Sequence, residues 1–203
     1  MKALIVTGGT GGLGSVVVER LAREYECVLL SRPEVDLMSE SSVREGVARA
    51  VERFGAPYGL VHLAGGYAGG GIAETSLETW EGMLGLNLTS SFLVMREVLA
   101  RMRRDAPGRI IAISSAATRT KSGSVAYTIA KSGLNALIEL TAKELEKTPI
   151  TANALLPATL DTAASRASMP NAKRVPLGDV AETIAYLLSD AGASVNGALL
   201  PMG

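Results

Sequence analysis

Short apolar runs alternate along the chain with longer segments in which apolar residues recur every three or four positions. The runs have the length of buried strands, and the segments between them have the period of amphipathic helices. Strands that alternate with helices predict a parallel sheet covered on both faces, which is a doubly wound α/β fold. The predicted strands are ALIV at 3–6, CVLL at 27–30, GLVHLA at 59–64, RIIAIS at 109–114, TANALL at 151–156 and GALLPM at 197–202.

Two segments in the second half of the chain have the period of long helices. Positions 77–104 predict one continuous helix, and positions 125–147 predict an amphipathic helix that ends before Pro149. No internal repeat, low-complexity tract or Pro/Ser-rich linker divides the chain. At 203 residues the length favours one sizeable core, so we expect residues 1–203 to form a single domain.

Composition excludes several classes of function. Twenty basic and twenty acidic residues give a formal net charge of zero, so we expect neither a nucleic-acid nor a membrane partner. Cys27 is the only cysteine and His62 the only histidine, which excludes a disulfide framework and argues against a zinc site. The first apolar run is too short for a signal-peptide core, and no segment is long enough to cross a bilayer. We therefore expect a cytoplasmic protein.

A glycine-rich turn follows the first predicted strand and opens the first helix. The sequence VTGGTGGLGS has the spacing TGxxxGxG. Glycines allow a tight turn and a close approach to a pyrophosphate, and the free N–H groups of a helix start attract negative charge. This context predicts a Rossmann-type dinucleotide-binding domain. The predicted phosphate-side residues are Gly8, Thr10, Gly12, Leu13 and Gly14.

The end of the second strand bears on which nucleotide is bound. The segment reads VLLSRPEVDL, with Ser31 and Arg32 where a carboxylate would accept hydrogen bonds from the adenosine ribose. An arginine can instead pair with a 2′-phosphate, which favours NADP. Glu34 could reach the ribose, so NAD remains the alternative. Asp36 lies at a position suited to the adenine amino group.

The stretch VAYTIAK places Tyr127 four residues before Lys131 at the start of the second long helix. Side chains at this spacing lie on the same helix face, close enough for an ammonium to act on a phenol. Such pairs are common on ordinary helices, so the pair alone does not establish catalysis. Its meaning depends on the rest of the chain.

Together these motifs resemble the short-chain dehydrogenase/reductase superfamily over essentially the whole chain. The TGxxxGxG turn is followed by HLAG at 62–65, where the family usually shows NNAG. Asn87 in GLNLTSSF, the serine pair in IAISSAA and YxxxK at 127–131 then follow in the family's order. The resemblance implies that Ala64 and Gly65 contact the cofactor. It leaves His62, in place of the first Asn, with a structural role at a strand end.

The resemblance also implies a role for each polar residue in carbonyl reduction. Tyr127 would be the acid/base, and Lys131 would lower its pKa and hold the nicotinamide ribose. Ser115 would orient the substrate oxygen, with Ser114 as the second choice because its distance to Tyr127 is the usual one. Asn87 would hold a relay water near the lysine.

Two segments show a narrower resemblance to dihydropteridine reductases and their bacterial relatives. They are AGGYAGG at 64–70 and LPATLDTAASRASMP at 156–170. In the wider family the matching threonine, here Thr162, bonds the nicotinamide carboxamide, and Thr159 lies in the same cofactor-side segment. The Ser31 position and the retained active-site serine depart from the pteridine pattern.

We therefore expect an NAD(P)(H)-dependent oxidoreductase that acts on a small carbonyl or alcohol substrate. A quinonoid dihydropteridine reductase and a non-catalytic dinucleotide sensor are the alternatives. The apolar stripe at 133–145 resembles helices that pair between subunits in this family, which implies a homodimer or homotetramer.

Overall fold

Six parallel strands form the central sheet in a computed structural model that describes all 203 residues. Each coincides with an apolar run of the sequence, so the doubly wound α/β prediction is confirmed. Two further strands form a small separate ladder. The strands are β1 (Lys2–Thr7), β2 (Tyr25–Leu30), β3 (Gly59–His62), β4 (Gly108–Ile113), β5 (Ile150–Pro157), β6 (Thr159–Leu160), β7 (Arg174–Val175) and β8 (Leu199–Met202). The order across the main sheet is β2-β1-β3-β4-β5-β8.

Helices cover both faces of the sheet and create two cores. The helices are α1 (Gly12–Leu21), α2 (Glu40–Phe54), α3 (Leu77–Leu84), α4 (Ser90–Leu99), α5 (Ala117–Thr120), α6 (Val125–Glu144), α7 (Ala163–Ser168) and α8 (Leu177–Leu188). Successive strand residues point to opposite faces. On β1, Ile5 enters the core under α2, α4 and α6, while Leu4 and Val6 enter the core under α1 and α8.

The predicted long helix at 77–104 is interrupted by a π-helical turn. The turn spans Gly85–Thr89 between α3 and α4, and α4 ends at Leu99 rather than at 104. Ser90 Oγ donates to the Leu86 carbonyl oxygen at 2.7 Å. Serine hydroxyls that bond the carbonyl four residues earlier compete with the helical ladder and bend helices. Asn87 is the middle residue of the π-turn.

The sheet has a topological switch point between β1 and β3. The chain passes from β1 to β2 on one side and then to β3 on the other. In sheets of this kind a crevice forms at the carboxyl ends of the two strands that flank the switch point, here β1 and β3. Thr7 and His62 are register partners at these two ends. Open parallel sheets bind their ligands at this position.

The region after β5 was only partly anticipated. Strands β6 and β7 pair in parallel, and α7 lies between them. Helix α8, which follows β7, was not predicted.

Helix α6, which precedes β5, ends at Glu144, three residues earlier than predicted. None of the helices combines the length and the apolar character that a bilayer crossing requires.

Candidate active site

The glycine-rich turn after β1 folds tightly against the end of β3. Gly8 has a φ of +67°, and a Cβ at that position would lie 2.6 Å from the Ala64 nitrogen. A Cβ at Gly14 would lie 2.0 Å from the Gly8 carbonyl oxygen. Only glycine fits at these two positions, because the conflicting atoms belong to the backbone. The turn is therefore shaped by close backbone contacts that the TGxxxGxG spacing predicts.

The start of α1 is open to an anion. Its N-cap is Gly11, no side chain caps the first turn, and no acidic residue occupies that turn. The N–H groups there remain available for phosphate oxygens, and the helix dipole favours negative charge. Thr10 and Gly12 are exposed at this end, whereas the Leu13 side chain belongs to the core under α1 and α8. Leu13 can therefore contact a phosphate only through its backbone. These residues fit a dinucleotide pyrophosphate.

Thr162 lies across the turn from Gly12. A Cβ on Gly12 would be 3.7 Å from the Thr162 methyl group. The Thr162 hydroxyl accepts a hydrogen bond of 3.1 Å from the Ser165 N–H and caps α7. Thr159 lies on β6 in register with Arg174 and makes no hydrogen bond to the turn. The structure therefore brings Thr162, but not Thr159, to the glycine-rich turn.

The residues predicted to select the nucleotide form an exposed group after β2. Arg32 Nη2 donates to Asp36 Oδ1 at 3.2 Å, and the Met38 N–H donates to the same oxygen at 3.1 Å. The Met38 N–H and the Arg32 guanidinium lower the pKa of Asp36, in that order. The Arg32 side chain is 74% exposed. Exposed pairs of this kind are worth little, so the guanidinium is free to change partners.

Tyr127 and Ser115 meet where β4 ends and α6 begins. Ser115 lies beyond the end of β4, and Tyr127 lies in the first turn of α6. Burial raises the pKa of the Tyr127 phenol, while a hydrogen bond from the Ser115 hydroxyl acts in the opposite direction. Ser114 faces away, because its hydroxyl is buried and donates to the Lys131 carbonyl oxygen at 3.3 Å. The geometry thus favours Ser115 as the hydroxyl beside the phenol.

Lys131 is buried one helical turn beyond Tyr127. Its Nζ donates to the Ile113 carbonyl oxygen at 2.7 Å, and burial lowers its pKa to about 8. The sequence predicted that this ammonium lowers the Tyr127 pKa. Burial is the largest influence on the phenol and raises its pKa. The opposing effect of Lys131 stays a prediction.

Asn87 is buried rather than on the surface, and it clamps the loop after β3. Its Oδ1 accepts from the Gly66 N–H at 3.1 Å, and its Nδ2 donates to the Gly66 carbonyl oxygen at 3.0 Å. Nδ2 also donates to the Met83 carbonyl oxygen at 3.1 Å. A Cβ on Gly65 would lie 2.8 Å from Asn87 Oδ1 and 3.2 Å from Lys131 Nζ. Gly65 therefore lets the amide and the ammonium approach the same point.

Sequence reasoning missed one residue of this group. The ring of Tyr67 packs edge-on against the ring of Tyr127, with 5.1 Å between the centroids. The Tyr67 side chain remains 65% exposed. The available signal was a single aromatic residue inside the glycine-rich loop GGYAGGG at 65–71. Only the fold shows that this loop reaches the start of α6.

The chain is similar to known reductases over almost its whole length. A family model described as enoyl-(acyl carrier protein) reductase matches residues 4–202. The 3-oxoacyl-[acyl-carrier-protein] reductase MabA of Mycobacterium tuberculosis is 28% identical, over 99% of this chain and 91% of its own length.

Two solved structures that contain NADPH are also similar. An actinorhodin polyketide ketoreductase variant is 27% identical, with a TM-score of 0.87 over 99% of this chain and 95% of the other. A blue fluorescent protein from a metagenomic library is 25% identical, with a TM-score of 0.88 over 99% of this chain and 96% of the other. These similarities favour neither the pteridine reductase nor the sensor.

Proposed function

The chain belongs to the short-chain dehydrogenase/reductase superfamily and is an NAD(P)-dependent oxidoreductase, and from this premise we propose that it is an NADPH-dependent carbonyl reductase. Residues 1–203 would carry both the dinucleotide site and the reacting groups. The observation that carries the proposal is the convergence of Ser115, Tyr127 and Lys131 beside the switch-point crevice.

The proposed reaction adds a hydride and a proton to a carbonyl group. The nicotinamide, when bound, supplies the hydride to the carbonyl carbon. The Ser115 hydroxyl would donate a hydrogen bond to the carbonyl oxygen and hold it beside Tyr127. The Tyr127 phenol would donate its proton to that oxygen, which gives the alcohol and leaves a phenolate. The ordinary pKa of a phenol, about 10, already keeps it protonated at neutral pH, as reduction requires, and burial raises the pKa of Tyr127 further.

Lys131 and Asn87 would support this proton transfer. The Lys131 ammonium stabilises the phenolate electrostatically once it forms and would hold the nicotinamide ribose. Asn87 fixes Gly66, so the backbone at Ala64 and Gly65 forms a firm wall of the crevice. Asn87 would also hold a relay water next to Lys131. Gly8, Thr10, Gly12, Gly14 and the Leu13 backbone would hold the pyrophosphate, and Thr162 would face the nicotinamide.

The test of the reacting groups uses three matched variants. Tyr127→Phe should lower kcat for carbonyl reduction by about 10² to 10⁴-fold, because the proton donor is removed, with little change in the NADPH Kd. Ser115→Ala should lower kcat/KM by about 10²-fold, and Ser114→Ala should stay near the parent. If Tyr127→Phe reduced every carbonyl as fast as the parent, the mechanism would be wrong. Loss on Ser114→Ala instead of Ser115→Ala would reassign the orienting hydroxyl.

NADP is proposed as the preferred nucleotide. Arg32 is exposed beside the end of β2 and can exchange Asp36 for a 2′-phosphate, and the two NADPH-containing structures above are similar to this chain. Arg32→Ala should weaken NADPH binding by about 10 to 100-fold, the worth of a charge-assisted hydrogen bond, and leave NADH binding unchanged. Arg23→Ala, which changes an exposed arginine just after α1, is the control and should not weaken NADPH binding. Equal losses for NADPH and NADH on Arg32→Ala would remove the argument.

The substrate is proposed to be a small carbonyl compound, and relatives of this chain are named as 3-oxoacyl and polyketide reductases. A screen should compare a 3-oxoacyl thioester, a simple ketone and an enoyl thioester at equal NADPH. The pairing of a serine and a tyrosine hydroxyl on one oxygen favours the two carbonyl compounds over the enoyl thioester. Faster reduction of the enoyl thioester would contradict this choice.

A homodimer or homotetramer is the proposed assembly. Ile129 and Leu140 on α6 and Phe92 on α4 are apolar and exposed. Large exposed apolar residues on neighbouring helices are typical of subunit contacts. Light scattering of the purified chain should give a mass of two or four copies of 21.0 kDa, and a monomer at micromolar concentration would contradict the proposal.

A further inference from the structure

The only histidine of the chain is fully buried and uses both ring nitrogens. His62 lies at the end of β3 and has no exposed surface. Its Nδ1 is 2.9 Å from Thr7 Oγ1, at the end of β1, and its Nε2 is 3.0 Å from Ser91 Oγ, in the first turn of α4. The imidazole therefore connects the strand that leads into the glycine-rich turn with the helix that follows the π-turn.

The hydrogen bonds around the ring define its tautomer. Thr7 Oγ1 accepts from the Ala64 N–H at 3.4 Å, which leaves its own proton for Nδ1. Ser91 Oγ donates its single proton to the Asn87 carbonyl oxygen at 3.0 Å, so it must accept from Nε2. We therefore assign the neutral tautomer with the proton on Nε2, because it alone satisfies every group in this chain of bonds.

The surroundings keep the ring neutral. Burial lowers the pKa of His62 to about 3, and the positive charge of Lys131 acts in the same direction. A neutral ring can donate at Nε2 and accept at Nδ1 at once, which an imidazolium cannot.

The bonds continue from the ring to the proposed substrate crevice. Ser91 Oγ holds the carbonyl oxygen of Asn87, which is a backbone group of the π-turn. The Asn87 side chain then holds both the N–H and the carbonyl oxygen of Gly66. Gly66 precedes Tyr67, whose ring contacts Tyr127.

We infer that His62 is a positioning residue that ties the end of the nucleotide-binding strand to the π-turn, and thereby holds Asn87 and the loop that begins at Gly65. This role is more specific than a structural role at a strand end, because it depends on the hydrogen bond that His62 Nε2–H donates to Ser91 Oγ. Its effect on turnover rests on the proposed function. Its effect on the ring and on Gly66 does not.

The first measurement reads the ring directly. Because the chain has one histidine, ¹⁵N labelling of histidine gives one pair of ring nitrogen signals. We expect a proton on Nε2 and a lone pair on Nδ1 at neutral pH. A protonated Nδ1, alone or together with Nε2, would overturn the inference.

Two amide substitutions separate the two ring nitrogens. In His62→Gln the side-chain amide reaches the Nε2 position and can still donate to Ser91. In His62→Asn the shorter amide matches Nδ1 and can reach only Thr7. We expect His62→Asn to lower kcat about 10-fold with an unchanged NADPH Kd, since small displacements of positioned groups cost this much or more, and we expect His62→Gln to stay within about 3-fold of the parent. Equal kcat values for the two variants would overturn the inference.

Ser91→Ala is the companion variant, since it removes one hydroxyl and leaves the imidazole in place. Hydrogen exchange of the Gly66 amide, which bonds to Asn87 Oδ1, gives a readout without turnover. We expect exchange to accelerate at least about 10-fold in Ser91→Ala and His62→Asn, but not in His62→Gln. If His62→Asn does not fold, Ser91→Ala carries the test. Unchanged Gly66 exchange in Ser91→Ala would contradict the inference, whereas a parent without carbonyl reductase activity would contradict only the proposed function.

Discussion

Lys131 Nζ donates a hydrogen bond of 2.7 Å to the carbonyl oxygen of Ile113, the last residue of β4. This bond fixes the ammonium at the carboxyl edge of the sheet, next to the point where Asn87 and Gly65 meet. It does not offset burial, because the pKa of Lys131 falls from an ordinary 10.5 to about 8. The charge beside Tyr127 is therefore held at a cost to the stability of the fold.

Removal of Lys131 should separate stability from activity. The folded-state pKa lies below the unfolded one, so stability is low below pH 8 and increases as pH rises from 8 towards 10.5. The unfolding free energy of the parent should gain about 2 to 3 kcal/mol relative to Lys131→Met between pH 7 and pH 10. Chemical denaturation at both pH values measures this gain. Lys131→Met should also lose nearly all reductase activity.

Lys143→Met is the control for that comparison, since Lys143 is exposed near the end of the same helix. The difference in unfolding free energy between the parent and Lys143→Met should stay the same at pH 7 and pH 10. A Lys131→Met variant whose stability follows the parent at every pH would mean that the lysine is not buried as a cation.

Two glycines of the nucleotide turn should respond differently to alanine. Gly14→Ala places a Cβ 2.0 Å from the Gly8 carbonyl oxygen, so the variant should be strongly destabilised. Gly12→Ala meets its first neighbour, the Thr162 methyl, at 3.7 Å, so it should fold like the parent. Its new methyl group narrows the gap proposed for the nucleotide, and the NADPH Kd should rise about 10-fold or more, which is at least about 1.4 kcal/mol.

Thermal melts and NADPH titrations distinguish the two glycine variants. Gly82→Ala in α3 is the control, because nothing lies within 4 Å of its Cβ position, and it should be neutral or stabilising by up to about 1 kcal/mol. Normal NADPH binding by a well-folded Gly12→Ala variant would argue against the proposed path of the nucleotide.

Tyr67 should support catalysis through its ring and not its hydroxyl. Its edge-to-face contact with Tyr127 is worth about 0.5 to 1.5 kcal/mol. Tyr67→Ala should lower kcat/KM for carbonyl reduction by roughly 3 to 10-fold, while Tyr67→Phe should match the parent and both should bind NADPH normally. Tyr186→Ala, a change of another half-exposed tyrosine on α8, should have no effect. A loss in Tyr67→Phe equal to that in Tyr67→Ala would assign the role to the hydroxyl.

The main sheet was predictable because each strand is an apolar run with clear bounds. Four to eight mostly apolar residues, set off from segments of helical period, leave few alternatives to a parallel strand. The ladder of β6 and β7 has two residues in each strand, too few to show any period. The π-turn was not predicted, because hydrogen bonds from the hydroxyls of Ser90 and Ser91 to the carbonyl oxygens four residues earlier change the helix without changing its apolar pattern.

The candidate site was predictable only where a motif carries it. The Gly8 and Gly14 contacts follow from glycine spacing, and the Tyr127–Lys131 pair follows from helix geometry. The contact of Tyr67 with Tyr127 arises from the path of a loop, and no local pattern encodes that path. The direction of the Tyr127 pKa depends on burial, which spacing does not show.

His62 should make the fold sensitive to mild acid. Its pKa of about 3 in the folded chain lies below the ordinary 6.5, so the unfolded chain takes up the proton first as pH falls. The stability that the neutral ring contributes is complete above pH 6.5 and is lost progressively down to about pH 3. Between pH 7 and pH 5 the parent should lose about 2 kcal/mol more unfolding free energy than His62→Gln. The chain has no other histidine, so His62 is the only imidazole that titrates. Carboxylates contribute equally to both proteins and cancel in the difference. Parallel stability curves for the two proteins would show that the imidazole accepts a proton inside the fold.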